Sequence, residues 1–337
     1  MSRSQVTSTV GQNTGGAVPP VIAGKNFLIN GGMDFFQRTS FSTTTSGYAL
    51  DRWYANVSSS ASATTVTQQT TGAPVGSQYC MRIAMGASSG YGNMYQFMET
   101  KNVAALWGKT VTITLKLRRS SNFTRDITVV VQKSATVDAP IGATWSAIAT
   151  AGVSNANLPT GTTSSDWYTA TITVAIPNDG TANSLAVYTS MSNVDTSSYY
   201  EMAQAQLEIG SVATPFSRAG GTLSGELQAC QRYYYREGGD APFQGMGQGI
   251  ATSTTNGNVQ ITLPVQMRVA PTSIDFSTLG LYNSGSVVTV TGATIDTASK
   301  NIVRVNAAVA SGLILNSAYQ LLANNSTSAL IGFSAEL

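Results

Sequence analysis

A chain of 337 residues has room for two domains, each with its own buried core. Its net charge of +2, with 10% charged residues, excludes an electrostatic case for nucleic acid or an acidic membrane surface as partner. The sequence has no histidine, which removes Ser-His-Asp triads, Cys-His dyads, His-Glu-x-x-His zinc sites and histidine general bases.

The leader "MSRSQVTSTVGQNTGGAVPPVIAGK" carries no aromatic residue, few charges and a Pro-Pro pair. Alone it cannot bury enough apolar area to order itself, so residues 1–25 are expected to be a flexible tail or a peptide that orders on a partner. It lacks the apolar run of a signal peptide, and no stretch of the chain reads as a membrane span. Synthesis and folding in a cytoplasm are therefore expected.

From Asn26 the pattern is β. "KTVTITLKLRR" alternates, with Val111, Ile113, Leu115 and Leu117 on one face and Lys116 and Arg118 expected in water. The basic run from Lys116 to Arg125 then reads as a solvated face rather than a phosphate site. "DITVVVQK", "YTATITVAIP", "SLAVYTSM" and "YYEMAQAQLEIG" follow, broken by Gly, Pro, Asn and Asp clusters. About eight or nine strands before Gly210 suffice for an antiparallel sandwich or jelly roll. Asp51 and Arg52 in "DRWY" are expected to pair or to bond loop backbone. Gln206 and Glu208, on the last of these strands with Tyr199 and Tyr200, are expected to face water or bond a neighbouring strand.

Beyond Pro215 the spacing predicts a short helix. Leu223, Leu227, Cys230 and Tyr234 form one apolar stripe, Thr222 or Ser224 caps the start, and Glu226 suits the positive end of the dipole. The stripe has two candidate partners, the same chain's jelly roll or two other copies on a trimer axis. From Ala241 a second, smaller β unit begins. Ile250–Thr255 and Val259–Leu263 flank Asn256-Gly257, a hairpin signal. The glycines of "QGMGQG" lack a Walker lysine and read as turns or close chain approaches. Cys80 and Cys230, far apart in sequence, read as buried free thiols rather than a disulfide framework or a metal site.

Four aromatic residues between strand patterns, Trp145, Trp167, Tyr91 and Tyr95, are candidates to hold a glycan, with ring faces against sugar CH groups. Core packing is the competing role for the tryptophans, and Trp107 before Gly108 reads as structural.

Five stretches occur in order: "NFLINGGMDFFQR", "YALDRWY", "YQFMETKNVAALWGKTVTITLKLRRS", "AQAQLEIGSVATPF" and "ELQACQRYY". Together they resemble phage and prophage tail-fibre proteins that carry a carbohydrate-binding-module-like jelly roll. "PVQMRVAPT" and "FSAEL" are similar in style to fibre C-terminal regions. The resemblance implies a virion surface protein, commonly a homotrimer.

The expected fold is all-β: an antiparallel jelly-roll sandwich over residues 26–218, a connecting helix over 219–237 and a smaller C-terminal β-sandwich tip over 238–337. The leader, through Val18, Pro19, Pro20, Val21 and Ile22, is expected to attach to tail, baseplate or capsid. The expected function is that of a non-enzymatic short tail fibre or fibre-like appendage presenting its β domains to host-surface glycan. A head fibre or capsid decoration protein and a polysaccharide depolymerase are the alternatives. Structural calcium is common in related modules, but no Asp-rich loop fixes such a site, and no cofactor is expected.

Overall fold

Alternation in "TVTITLKLRR" sends Val111, Ile113, Leu115 and Leu117 to one side of a strand, and all four are buried. Burial of each such side chain stabilises the fold by about 1.5–3 kcal/mol. The computed structural model describes residues 25–38, 41–59, 64–86, 90–191 and 197–337. Val18, Pro19, Pro20, Val21 and Ile22, the expected attachment residues, lie outside the described residues.

The first unit has twelve strands: β1 (Phe41–Thr43), β2 (Gly47–Tyr48), β3 (Tyr54–Ser59), β4 (Thr64–Gln69), β5 (Cys80–Ala84) and β6 (Gly90–Met98), then β7 (Thr110–Arg119), β8 (Ile127–Ser134), β9 (Ser146–Val153), β10 (Tyr168–Ala175), β11 (Ser184–Ser190) and β12 (Tyr199–Ile209). They form two six-stranded antiparallel sheets, ordered β1-β4-β5-β12-β7-β10 and β2-β3-β6-β11-β8-β9. The inner faces share one core that includes Trp53, Met81, Ile113, Val129, Val187 and Leu207. This is an all-β sandwich.

Arg118 departs from the expectation that it faces water, being only 2% exposed. Its register explains why. Glu201 on β12 lies directly opposite Arg118 on β7 and Arg82 on β5. Both arginines pair with its carboxylate, and Trp167 covers Arg118, with its ring centroid 4.4 Å from the guanidinium carbon. Gln206 and Glu208 are also buried. Gln206 Nε2 donates to Glu208 Oε1 (2.8 Å), and the Glu208 carboxylate accepts from Thr214 N and Oγ1 at 2.8 and 2.6 Å. These polar groups tie the last strand to the loop that leaves it.

That loop leads to the one helix longer than a single turn among the described residues. After α1 (Thr100–Val103), α2 spans Leu223–Gln231. Thr222 caps it, its Oγ1 accepting from Gly225 N at 3.0 Å. The helix is shorter than its apolar spacing predicts, and the expected stripe is not its buried face. Leu223 is 51% exposed and Leu227 half-buried, whereas Cys230 and Glu226 are buried. Tyr234 is buried too, but in strand β13 (Tyr234–Glu237), past the helix end. The Glu226 carboxylate accepts from the backbone N–H groups of Asn30 and Gly220, and this bonding sets the rotation of α2.

The remaining strands are β14 (Gly245–Ala251), β15 (Asn256–Thr262), β16 (Ser273–Ser277), β17 (Leu279–Asn283), β18 (Ser286–Ala298), β19 (Ile302–Val309), β20 (Ala318–Ala323) and β21 (Leu330–Ser334). Six of them close into a barrel, β14-β15-β19-β18-β17-β20, while β13-β21-β16 form a three-stranded sheet beside it. Alternation along each strand reads alike for a small sandwich and a small barrel, and pairing of β14 with β20 closes the ring. The hairpin of β14 and β15 turns at Thr252–Thr255 rather than at Asn256-Gly257. Ser253 Oγ accepts from the Thr255 and Asn256 N–H groups (3.1 and 3.0 Å), holding the turn early and leaving Asn256 and Gly257 to pair with Ala308 and Ala307. A Cβ on Gly249 would stand 1.9 Å from Asn258 O, so that glycine permits a close chain approach. Cys80 and Cys230 are free and buried.

Candidate functional site

The outward face of the second sheet carries an aromatic row. Pleating puts Tyr91, Asn93, Tyr95 and Phe97 of β6 on one face. Register sets Tyr54 of β3 beside Tyr95 on one side and Tyr188 of β11 on the other. Val130 of β8 continues this row beyond Tyr188, and Gln132 lies opposite Ala186. The opposite pleat positions, Met94, Met98, Leu185, Val187, Val129 and Val131, belong to the sandwich core.

Ring geometry organises the face. Tyr95 and Tyr188 stack with centroids 4.1 Å apart and planes 8° from parallel. Tyr95 and Phe97 stack at 5.4 Å, and Trp145 lies 5.6 Å from Phe97. Tyr54 meets Phe97 at 5.9 Å, and Tyr48 meets Tyr54 edge-on at 5.1 Å. Tyr95 and Phe97 are the floor and are buried; Tyr54, Tyr188 and Trp145 are half-buried; Tyr91 stands 38% exposed. Gln132 Nε2 donates to the Tyr188 hydroxyl at 3.4 Å, and Trp145 Nε1 donates to Pro140 O at 3.0 Å.

The six strands of this sheet contain one charged residue, Lys133, whose Nζ donates to Thr181 Oγ1 at 2.6 Å. Burial, with help from Tyr188, pushes the Tyr95 hydroxyl above the ordinary phenol range, against hydrogen bonds from Asn56 and Asn93. The face is therefore neutral throughout the physiological range. Its groups are ring faces, amides and hydroxyls, suited to holding a neutral polyhydroxylated ligand.

Three of the four residues singled out in the sequence meet here. Tyr91 and Tyr95 share the β6 face, and Trp145 reaches it from the loop before β9. Trp167 does not: its Nε1 donates to Gly72 O at 3.1 Å, and its ring covers Arg118 beside the other sheet. Sequence reading missed Tyr54, Phe97 and Tyr188. The two-residue spacing in "YGNMYQF" signals Phe97, whereas Tyr188 joins only through strand pairing. Trp107 is structural, its Nε1 donating to Ala182 O at 2.7 Å.

At one end of the face sits a buried ionic seam. Asp51 accepts from Gln37 N (3.2 Å) and Gln37 Nε2 (2.6 Å), with Arg38 Nη1 at 3.7 Å. Burial pushes the Asp51 carboxyl up to about 6 against the pull of Arg38. Arg52 ion-pairs with Glu336 and donates Nη2 to Phe97 O at 2.5 Å, with its guanidinium carbon 3.6 Å from the Tyr233 ring centroid. Burial alone would lower the Arg52 proton affinity, but Glu336 outweighs it and holds the guanidinium charged. Among the described residues no group of three or more His, Cys, Asp or Glu is placed to hold a metal ion.

No protein-family model matches the chain, and no curated protein matches it. Among solved structures, the enzymatically active domain of bacteriophage CBA120 tailspike protein 4 aligns with a TM-score of 0.38 and 11% identity, over 55% of this chain and 22% of that one. A putative sugar-binding protein from Bacteroides thetaiotaomicron aligns at 0.38 with 10% identity, over 55% of this chain and 100% of that one. The C-terminal family 22 carbohydrate-binding module of Clostridium thermocellum Xyn10B aligns at 0.33 with 11% identity, over 51% of this chain and 96% of that one.

Proposed function

We propose that this chain is a non-enzymatic bacteriophage virion protein, a short tail fibre or fibre-like appendage, whose sandwich binds neutral host-surface glycan on the aromatic face. The stacked, uncharged row centred on Tyr95 and Tyr188 carries this reading. Sugar rings present CH groups to aromatic faces and hydroxyls to amides, and Gln132 and Asn56 flank the row with amides. The virion assignment is supported by the five ordered stretches that resemble phage tail-fibre proteins. In it, residues 1–25 join the particle and three copies associate.

Affinity electrophoresis in gels containing dextran, xylan, galactomannan or hydroxyethylcellulose tests the glycan reading. At least one is expected to retard the native chain, with Tyr188→Ala abolishing the effect and Trp167→Ala leaving it intact. Migration unaffected by any neutral polysaccharide defeats that reading. Immunogold labelling of particles tests the virion assignment, and mass photometry tests the trimer.

A further inference from the structure

The aromatic face ends against residues from the other unit. Strand β21 belongs to the C-terminal three-stranded sheet and Ala335 to that unit's core, yet Glu336 and Leu337 beyond it reach the sandwich. Arg268, also from the C-terminal unit, holds this segment from behind, its Nε donating to Ala335 O (2.9 Å) and its Nη2 to Glu336 O (2.7 Å). From the sandwich side, Tyr48 OH donates to Leu337 O at 3.1 Å, and Arg38 and Arg52 pair with the Glu336 carboxylate. The Leu337 side chain packs into the same cluster as Tyr54, Trp145 and Tyr188.

Arg52 is built for this contact. Its backbone lies at φ 68, a left-handed conformation in which a side chain is disfavoured and glycine is at ease. The guanidinium there makes three contacts, Nη2 to Phe97 O on the floor strand, Nη1 to Glu336 and its face over Tyr233, while Nε is buried with no hydrogen-bond partner. A planar fork can bridge those two acceptors at once, whereas an ammonium cannot hold both in the same geometry.

We propose that Leu337 forms the end wall of the aromatic site and that Arg52 is the positioning residue that holds this wall, through Glu336, against strand β6. The site is thus composite, with its floor from the sandwich and its end wall from the C-terminal unit. The ligand class, a neutral glycan, rests on the reading given above; the wall itself rests on the contacts. A ligand seated against Leu337 couples occupancy of the face to docking of the two units.

The test uses the full chain and four variants, Leu337→Ala, Leu337→Val, Arg52→Lys and Glu336→Gln, with the fluorescence change of each assigned to Trp145 by repeating it in a Trp145→Phe background. Leu337→Ala is expected to red-shift Trp145 emission and weaken retardation by the best-binding neutral polysaccharide three- to tenfold. Arg52→Lys, which keeps the charge and loses the fork, is expected to reproduce both changes. Glu336→Gln, which keeps an acceptor for Arg52, is expected to fall between Leu337→Ala and the native chain. Unchanged Trp145 emission in Leu337→Ala overturns the wall, and native behaviour of Arg52→Lys overturns the positioning role. Should no polysaccharide retard the native chain, the glycan reading falls, while the Trp145 emission of the same variants still decides the wall and its positioning residue. Circular dichroism confirms that each variant is folded, and a Leu337→Val variant, which restores an apolar wall, should recover native emission.

Discussion

Glu226, in the first turn of the connecting helix, accepts a hydrogen bond from the backbone N–H of Asn30, 196 residues earlier in the chain. Its second oxygen accepts from Gly220 N, so one carboxylate satisfies two backbone donors at the root of the helix. Glu226→Ala strands both donors and is expected to cost about 2–4 kcal/mol in urea unfolding. Leu223→Ala on the exposed side should stay within about 0.5 kcal/mol in a monomer. A larger loss from Leu223 than from Glu226 would mean that the helix turns its apolar stripe inward after all.

Aromatic contacts predict a division between binding and stability. Tyr91 is exposed, so Tyr91→Ala should lower polysaccharide affinity while shifting the unfolding midpoint little. Trp167→Ala should do the reverse, because that ring covers Arg118 and leaves a buried ion pair open to water. Affinity electrophoresis and thermal unfolding of the two variants side by side distinguish the roles.

Asp51 predicts a pH dependence whose sign follows from burial. Its carboxyl rises from 3.8 to about 6 on folding, so between those values the folded chain binds the proton and the unfolded chain has begun to release it. Stability from this group is present below about pH 4 and is lost as pH rises through 6. Relative to Asp51→Asn, the native chain should gain on the order of 2–3 kcal/mol between pH 6.5 and pH 4. Urea unfolding at several pH values measures the difference, and parallel curves for the two proteins would count against it.

Both thiols should be silent while the chain is folded. Burial pushes the Cys80 thiol up to about 12 and raises Cys230 well above its ordinary value. Disulfide-exchange reagents at pH 8 should label neither cysteine in buffer and both in 6–8 M urea, roughly the range that unfolds most domains. Rapid labelling of Cys230 in buffer would show that the seam around α2 opens readily.

Alternation and composition made much of the fold legible. Val111 to Leu117 and Ala170 to Val174 occupy the faces their two-residue period predicts, because pleating turns that period directly into geometry. Thr222 was readable as a cap for the same local reason. Within the site, Tyr91 and Tyr95 were legible as glycan candidates but read as lying between strands, whereas the structure places both on β6. Arg118 was misread because its neutralising partner, Glu201, is 83 residues away and meets it only across paired strands. Asn256-Gly257 was misread because Ser253 made a competing turn.

Sequence alone therefore determined what depends on near neighbours: an all-β chain, its buried pleat positions, the start of its helix and the absence of any histidine chemistry. Tertiary structure decided what depends on register and closure. It brought Tyr188 beside Tyr95, sealed the C-terminal strands into a barrel, and set Arg52 against Glu336 across 284 residues. The physical reason is the same in each case. Side-chain period is a local property of the backbone, whereas which strands pair, and in what register, depends on the burial of both faces at once.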